Sequence, residues 1–147
     1  MSPRDFLDTN VLVYAFTPEG DKSRTAEALL TTRPLISVQG LNEMVNVLRR
    51  KRAFSWPEID VVVDAVVQLC PVRPQTLGTH SLARQLAPRY GLAWWDALQL
   101  ASALEAGAQS FWSEDLQHGL LVEQRLRVCN PFFLDGGNAR RADPPLS

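Results

Sequence analysis

The sequence predicts an α/β domain with a mainly parallel central sheet of four to five strands flanked by helices. Three observations predict it. Short apolar runs at 4–8, 35–38 and 110–113 alternate with stretches of helical period, the pattern of βαβ units. Breaks at Thr17-Pro18-Glu19-Gly20, Pro34, Pro71 and Gly107 punctuate them. The length, 147 residues, suits one domain, since domains commonly run about 100–150 residues. Residues 1–134 read as that domain, and the Gly/Pro/polar segment 135–147 reads as a flexible tail.

The elements follow in order. Residues 4–8 give a strand ending on Asp8, and the apolar stretch Val11–Ala15 begins the first helix, near residue 10. Residues 22–32 read as the second helix and Leu35–Val38 as a second strand. In 40–52, Leu41, Met44, Val45 and Leu48 fall at i, i+3, i+4 and i+7, one apolar face of a third helix. Ser55 and Pro57 mark the N-cap and first turn of a helix through Leu69, which Pro71 ends. Val72-Arg73 is at most a short strand. Two more helices, 76–88 and 93–106, are divided by Pro88 and Gly91. Ser110–Ser113 and 126–134 complete the strands.

Composition narrows the function classes. At 46% hydrophobic the chain can fill a core, which excludes a mostly disordered protein. No run approaches the roughly 18–20 apolar residues of a membrane span, and residues 1–15 lack a basic-then-apolar signal layout, so a soluble cytoplasmic protein is expected. A net charge of −1 argues against gripping nucleic acid by bulk positive charge. Cys70 and Cys129 make neither a disulfide framework nor a CxxC knuckle and read as apolar fillers.

Function in a parallel sheet gathers beyond the carboxyl ends of the strands. Four carboxylates have that context: Asp8 after the first strand, Glu43 near the start of the third helix, Asp96 in the first turn of another, and Asp115 beyond the Ser110–Ser113 strand. Singly, each has an ordinary explanation. Asp8 or Asp115 can cap a helix, Asp96 gains from the helix dipole, and Glu43 shares a polar face with Asn46 and Arg50. Together they repel, and a hard divalent cation such as Mg²⁺ or Mn²⁺ resolves the repulsion while serving phosphodiester hydrolysis.

The order LDTNVLVYA, NEMVNVLRRK, WWDALQLASA, SEDLQHG resembles the PIN-domain nucleases, and within them the VapC-type toxins of bacterial toxin–antitoxin pairs. The resemblance spans residues 4 to about 134 and implies metal-dependent endonucleolytic cleavage of RNA, one or two Mg²⁺ or Mn²⁺ ions, a cognate antitoxin and a homodimer. Carried over, Asp8, Glu43, Asp96 and Asp115 are the metal-site acids. Thr9, Asn10 and Ser113 are the polar residues that support them. Asp8 and Asp96 are expected as direct ligands, Asp115 as direct or through water, and Glu43 at a second ion or as the base that orients water. Either carboxylate of the Glu114–Asp115 pair can face the metal.

The run Arg49-Arg50-Lys51-Arg52 reads either as a cationic last helical turn or as an RNA phosphate-steering patch. Trp94 shares a helical face with Leu98 and Ala101 and reads as core; His80 and His118 lack ligand-like partners. Two enzyme rivals each miss a residue. A haloacid-dehalogenase-like phosphatase needs Asp where Asn10 stands, and a receiver domain needs a Lys after a late strand, whereas the lysines are Lys22 and Lys51. The non-enzyme alternative is a catalytically silent PIN-fold module that binds RNA or protein.

Overall fold

The computed structural model describes residues 4–133, and the expected tail lies outside them. Alternation along the first strand builds the core. In β1 (Asp5–Leu7), Phe6 and Leu7 are both buried but point to opposite faces of the sheet. Phe6 stacks on Phe111, ring centroids 5.6 Å apart, within a cluster shared with α5 (Leu77–Tyr90) and α6 (Trp94–Glu105). Leu7 joins the other cluster, with Leu12 of α1 (Thr9–Tyr14), Ala26 of α2 (Asp21–Leu30), Met44 and Leu48 of α3 (Val38–Arg50), and Ile59 of α4 (Trp56–Leu69). Helices therefore cover both faces, as a parallel sheet requires.

The remaining strands are β2 (Ile36–Ser37), β3 (Val72–Arg73), β4 (Ser110–Trp112), β5 (Leu121–Val122) and β6 (Leu126–Cys129). One sheet has the order β1-β4-β6-β5, and β2 pairs with β3. A parallel bridge between Phe6 and Leu35 joins the two. Among the described residues only β5 runs antiparallel, against β6. The chain leaves β1 toward β2 and β3, then returns to its other side at β4. That reversal opens a crevice beyond the carboxyl end of β1.

Local signals explain most boundaries. Ser55 caps α4 with Pro57 in its first turn, as expected, and Glu58, which read only as a solvated acid, completes a reciprocal capping box. The helix α3 starts at Val38 because Ser37 caps it, its hydroxyl accepting the Gly40 N–H at 2.9 Å, so β2 stops at Ser37. Pro88 does not end α5. It removes one N–H inside the helix, which runs on to Tyr90 and stops at Gly91, whose left-handed backbone (φ 65°) returns an N–H to Ala87. The last strand stops at Cys129, since the Asn130 side chain accepts the Phe132 N–H and turns the chain away. The antiparallel β5 has no counterpart among the expected strands: at two residues it is too short to show a period.

Candidate active site

Asp8 follows β1 directly and caps α1. One carboxylate oxygen accepts the Thr9 N–H at 2.7 Å and the other accepts the Ser113 hydroxyl at 2.8 Å. Ser113, fully buried just after β4, also receives the Asp115 N–H at 3.2 Å. One hydroxyl thus ties the first acid to the loop that carries the last. Burial pushes the Asp8 carboxyl up from an ordinary 3.8 to about 7, against the lowering pull of Ser113 and Thr9, and the charges of Asp96 and Asp115 add to the rise.

Asp96 is the third residue of α6, where the helix N-terminus favours an anion. Its pKa is raised all the same, by burial first and then by Asp115 and Glu43. Asp115 is raised by burial and by its neighbour Glu114, and its carboxylate accepts a hydrogen bond from the Asn10 amide, which lowers it. Glu43 accepts from the Thr9 hydroxyl at 3.1 Å and from Gln39 Nε2 at 2.7 Å. The fold therefore brings Asp8, Glu43, Asp96 and Asp115 to one edge of the sheet, with Thr9 bonded to Asp8 and Glu43, Ser113 to Asp8 and Asp115, and Asn10 to Asp115. Among the described residues no group of three Asp, Glu, His or Cys stands close enough to hold an ion directly.

The Glu114–Asp115 pair divides its labour. Glu114 turns away from Asp115's partners and accepts from Tyr14 Oη at 2.6 Å and from Lys22 Nζ. Burial works against its charge, yet these two donors hold Glu114 below the usual carboxylate range. Lys22 in turn lies 5.1 Å from the Tyr14 ring centroid and 5.5 Å from that of Phe132. Lys22→Met should therefore lift the Glu114 pKa while costing under about 1 kcal/mol of stability, because the pair is partly exposed. A carboxyl NMR titration reads this directly, and an unmoved Glu114 would deny that Lys22 holds its carboxyl down.

The cationic run is not one patch. Arg49 donates to the Phe54 carbonyl at 3.1 Å and packs over Trp56, 4.9 Å from its ring centroid. Arg52 is paired with Glu19. Arg50 and Lys51 are exposed and make no ion pair among the described residues. His118 is also committed: its Nδ1 accepts the Asn130 N–H at 2.9 Å and its ring stacks on Phe133. His80 packs edge-on against Trp94, which is partly buried against the core as expected. Cys70 is buried and its thiol is pushed up to about 11, an unreactive filler.

Sequence reasoning missed Tyr14, Lys22 and Gln99. Gln99 is 1% exposed, although it is a polar residue in the middle of α6. A polar residue one turn beyond Asp96 on the apolar stripe was the available signal.

A parallel sheet between helical layers, with carboxylates collected at its switch point, defines a class of α/β domain with an acidic crevice. The PIN domain family matches residues 6–119, more than three-quarters of the sequence, and the chain belongs to that family. No curated protein matches it by sequence. Among solved structures, a toxin–antitoxin complex from Klebsiella pneumoniae is 17% identical, with 87% of this chain and 98% of that one covered at a TM-score of 0.68. DNA-bound VapBC from Salmonella typhimurium is 18% identical over 88% and 99%, TM-score 0.66. Mycobacterium tuberculosis VapC20, a sarcin–ricin loop cleaving toxin, is 18% identical over 73% and 86%, TM-score 0.62. At such identities the likeness is one of fold.

Proposed function

We propose that this protein is a divalent-metal-dependent endoribonuclease and the toxin of a toxin–antitoxin pair, acting in the cytoplasm. The observation that carries the reading is Asp8: a carboxyl sealed from water and pressed by two further acids, an arrangement that is costly unless a cation is bound. The donor set fits Mg²⁺ or Mn²⁺, since every donor is a hard oxygen. Such ions keep several waters and take only one or two protein carboxylates each, whether one ion binds or two. When bound, the metal supplies Lewis acidity that offsets the carboxylates' charge and makes water and phosphate more reactive.

The residues divide the work. Asp8 and Asp96 are the direct ligands in this reading, Asp115 a ligand directly or through water. Ser113, Asn10 and Thr9 fix the carboxylates, because a ligand held by a neighbour loses less freedom on binding. Glu43 orients the attacking water and takes its proton, or serves a second ion. Arg50 and Lys51 remain to meet RNA phosphates. A cognate antitoxin is part of the proposal, supported by neighbours solved as toxin–antitoxin complexes, and so is a homodimer, which rests on the family resemblance alone. Among the described residues no helix is long and apolar enough to cross a membrane.

The silent-module alternative draws on one observation, that among the described residues no three-residue group is already closed for an ion. Labelled total RNA separates the two. Purified, antitoxin-free protein should cut it with Mn²⁺ or Mg²⁺ and stop with chelator. A folded, metal-supplied protein that binds RNA without cutting it would establish the silent module instead.

A further inference from the structure

We propose that Gln99 is a positioning residue for Glu43, acting through a one-way hydrogen-bond relay that crosses four elements. The inference rests on the nuclease reading for its activity readout and deepens it by adding a residue. The Ser37 hydroxyl accepts the Gly40 N–H at 2.9 Å, so its hydrogen is left to donate to Gln99 Oε1 at 2.7 Å. That fixes the amide: its oxygen faces Ser37 and its NH₂ faces Thr9, donating to Oγ1 at 3.0 Å. With its oxygen receiving from Gln99, the Thr9 hydroxyl turns its hydrogen to Glu43 Oε1 at 3.1 Å.

Each group in the chain has its direction set by the one before it. Ser37, Gln99 and Thr9 are 0%, 1% and 4% exposed, so water does not stand in for a lost member. The end of the relay is a donor aimed at one oxygen of Glu43 while Gln39 holds the other. Gly40 completes the cradle: a Cβ there would meet Gln99 Nε2 at 3.3 Å, Ser37 Oγ at 3.6 Å and Thr9 Oγ1 at 3.7 Å. A side chain at position 40 would therefore push on the amide without removing any hydrogen-bonding group.

The test uses the full chain with Mn²⁺ and labelled RNA under single-turnover conditions, with the Glu43 carboxyl ¹³C resonance as a readout that needs no activity. Gln99→Met, close in shape but without the amide, should slow cleavage about 10–100-fold, the usual range for a residue that orients a ligand. It should add nothing in a Glu43→Gln background and should shift the Glu43 resonance while leaving that of Glu58 in place. Gly40→Ala, which keeps every relay group, should show the same effects in weaker form if Gln99→Met folds poorly. Equal losses with and without Glu43 would reduce Gln99 to a scaffold residue and overturn the proposal. So would a wild-type rate together with an unmoved Glu43 resonance. If the wild-type protein cuts no RNA, the nuclease reading fails and the resonance alone decides: a shift upholds the relay, and none overturns it.

Discussion

Replacing Asp8 with asparagine is expected to make the metal-free protein more stable and at the same time inactive. Asp8 is 5% exposed, and its pKa of about 7 exceeds the ordinary 3.8 because burial disfavours its charge. Between those two values the folded chain holds a proton that the unfolded chain releases. Stability therefore falls as pH rises from about 4 to 7, and the full penalty, on the order of 4 kcal/mol, stands above it. The replacement amide carries no charge at any pH and keeps an oxygen for the Thr9 N–H, while its NH₂ can donate to the Ser113 hydroxyl. In chelator at pH 8 the variant should melt roughly 5–10 °C above wild type, and the gain should vanish near pH 4. Cleavage should drop more than about 10³-fold, beyond the 10–100-fold that a residue orienting a ligand commands. Melting curves across pH, with and without chelator, check the first half. A variant no more stable than wild type at pH 8 would remove the observation on which the functional reading stands.

That coupling of instability to function explains what the sequence could and could not reveal. Asp8, Glu43, Asp96 and Asp115 were legible because acids just beyond strands and in first helical turns stand out by residue type and place. Their mutual repulsion was expected, but its strength and which acid bears most of it were not legible, since both depend on burial and on distances set by the sheet order. The helix start at Ser55 and the apolar stripe of α3 were local signals, and local signals survive folding. Pro88 misled because a proline's cost depends on its position: near a helix end it removes one N–H, and Gly91 stops the helix instead. The Glu114–Asp115 pair stayed open in the sequence because adjacent residues point different ways. Lys22, 92 residues away in the chain, is what claims Glu114. The four-cation run does close α3 with a cationic last turn, and what the sequence did not show is that Arg49 and Arg52 engage Phe54, Trp56 and Glu19.

Asp96→Asn is expected to leave the fold intact, abolish cleavage and erase the stabilisation that metal brings. Asp96 sits at the hub of the acidic edge: its charge bears on Asp8, and those of Asp115 and Glu43 bear on it. A cation shared among these groups therefore depends on Asp96 more than on any one of the others. Asparagine retains the size of the side chain in the first turn of α6, and the apolar stripe of that helix from Ala97 to Leu104 is untouched. In wild type, Mn²⁺ at about 100 times its dissociation constant should add about 2.7 kcal/mol to folding, since the ion binds only the folded chain. In Asp96→Asn most of that increment should be missing, while the chelated proteins melt within a few degrees of each other. The activity losses should also fail to add: Asp8→Asn with Asp96→Asn should be no worse than either alone, as befits groups that act as one unit. Retained turnover with an unchanged Mn²⁺-dependent shift in melting would place the metal elsewhere. Additive losses would instead mean that the two acids serve separate steps, and the single crevice at the end of β1 would no longer account for the chemistry.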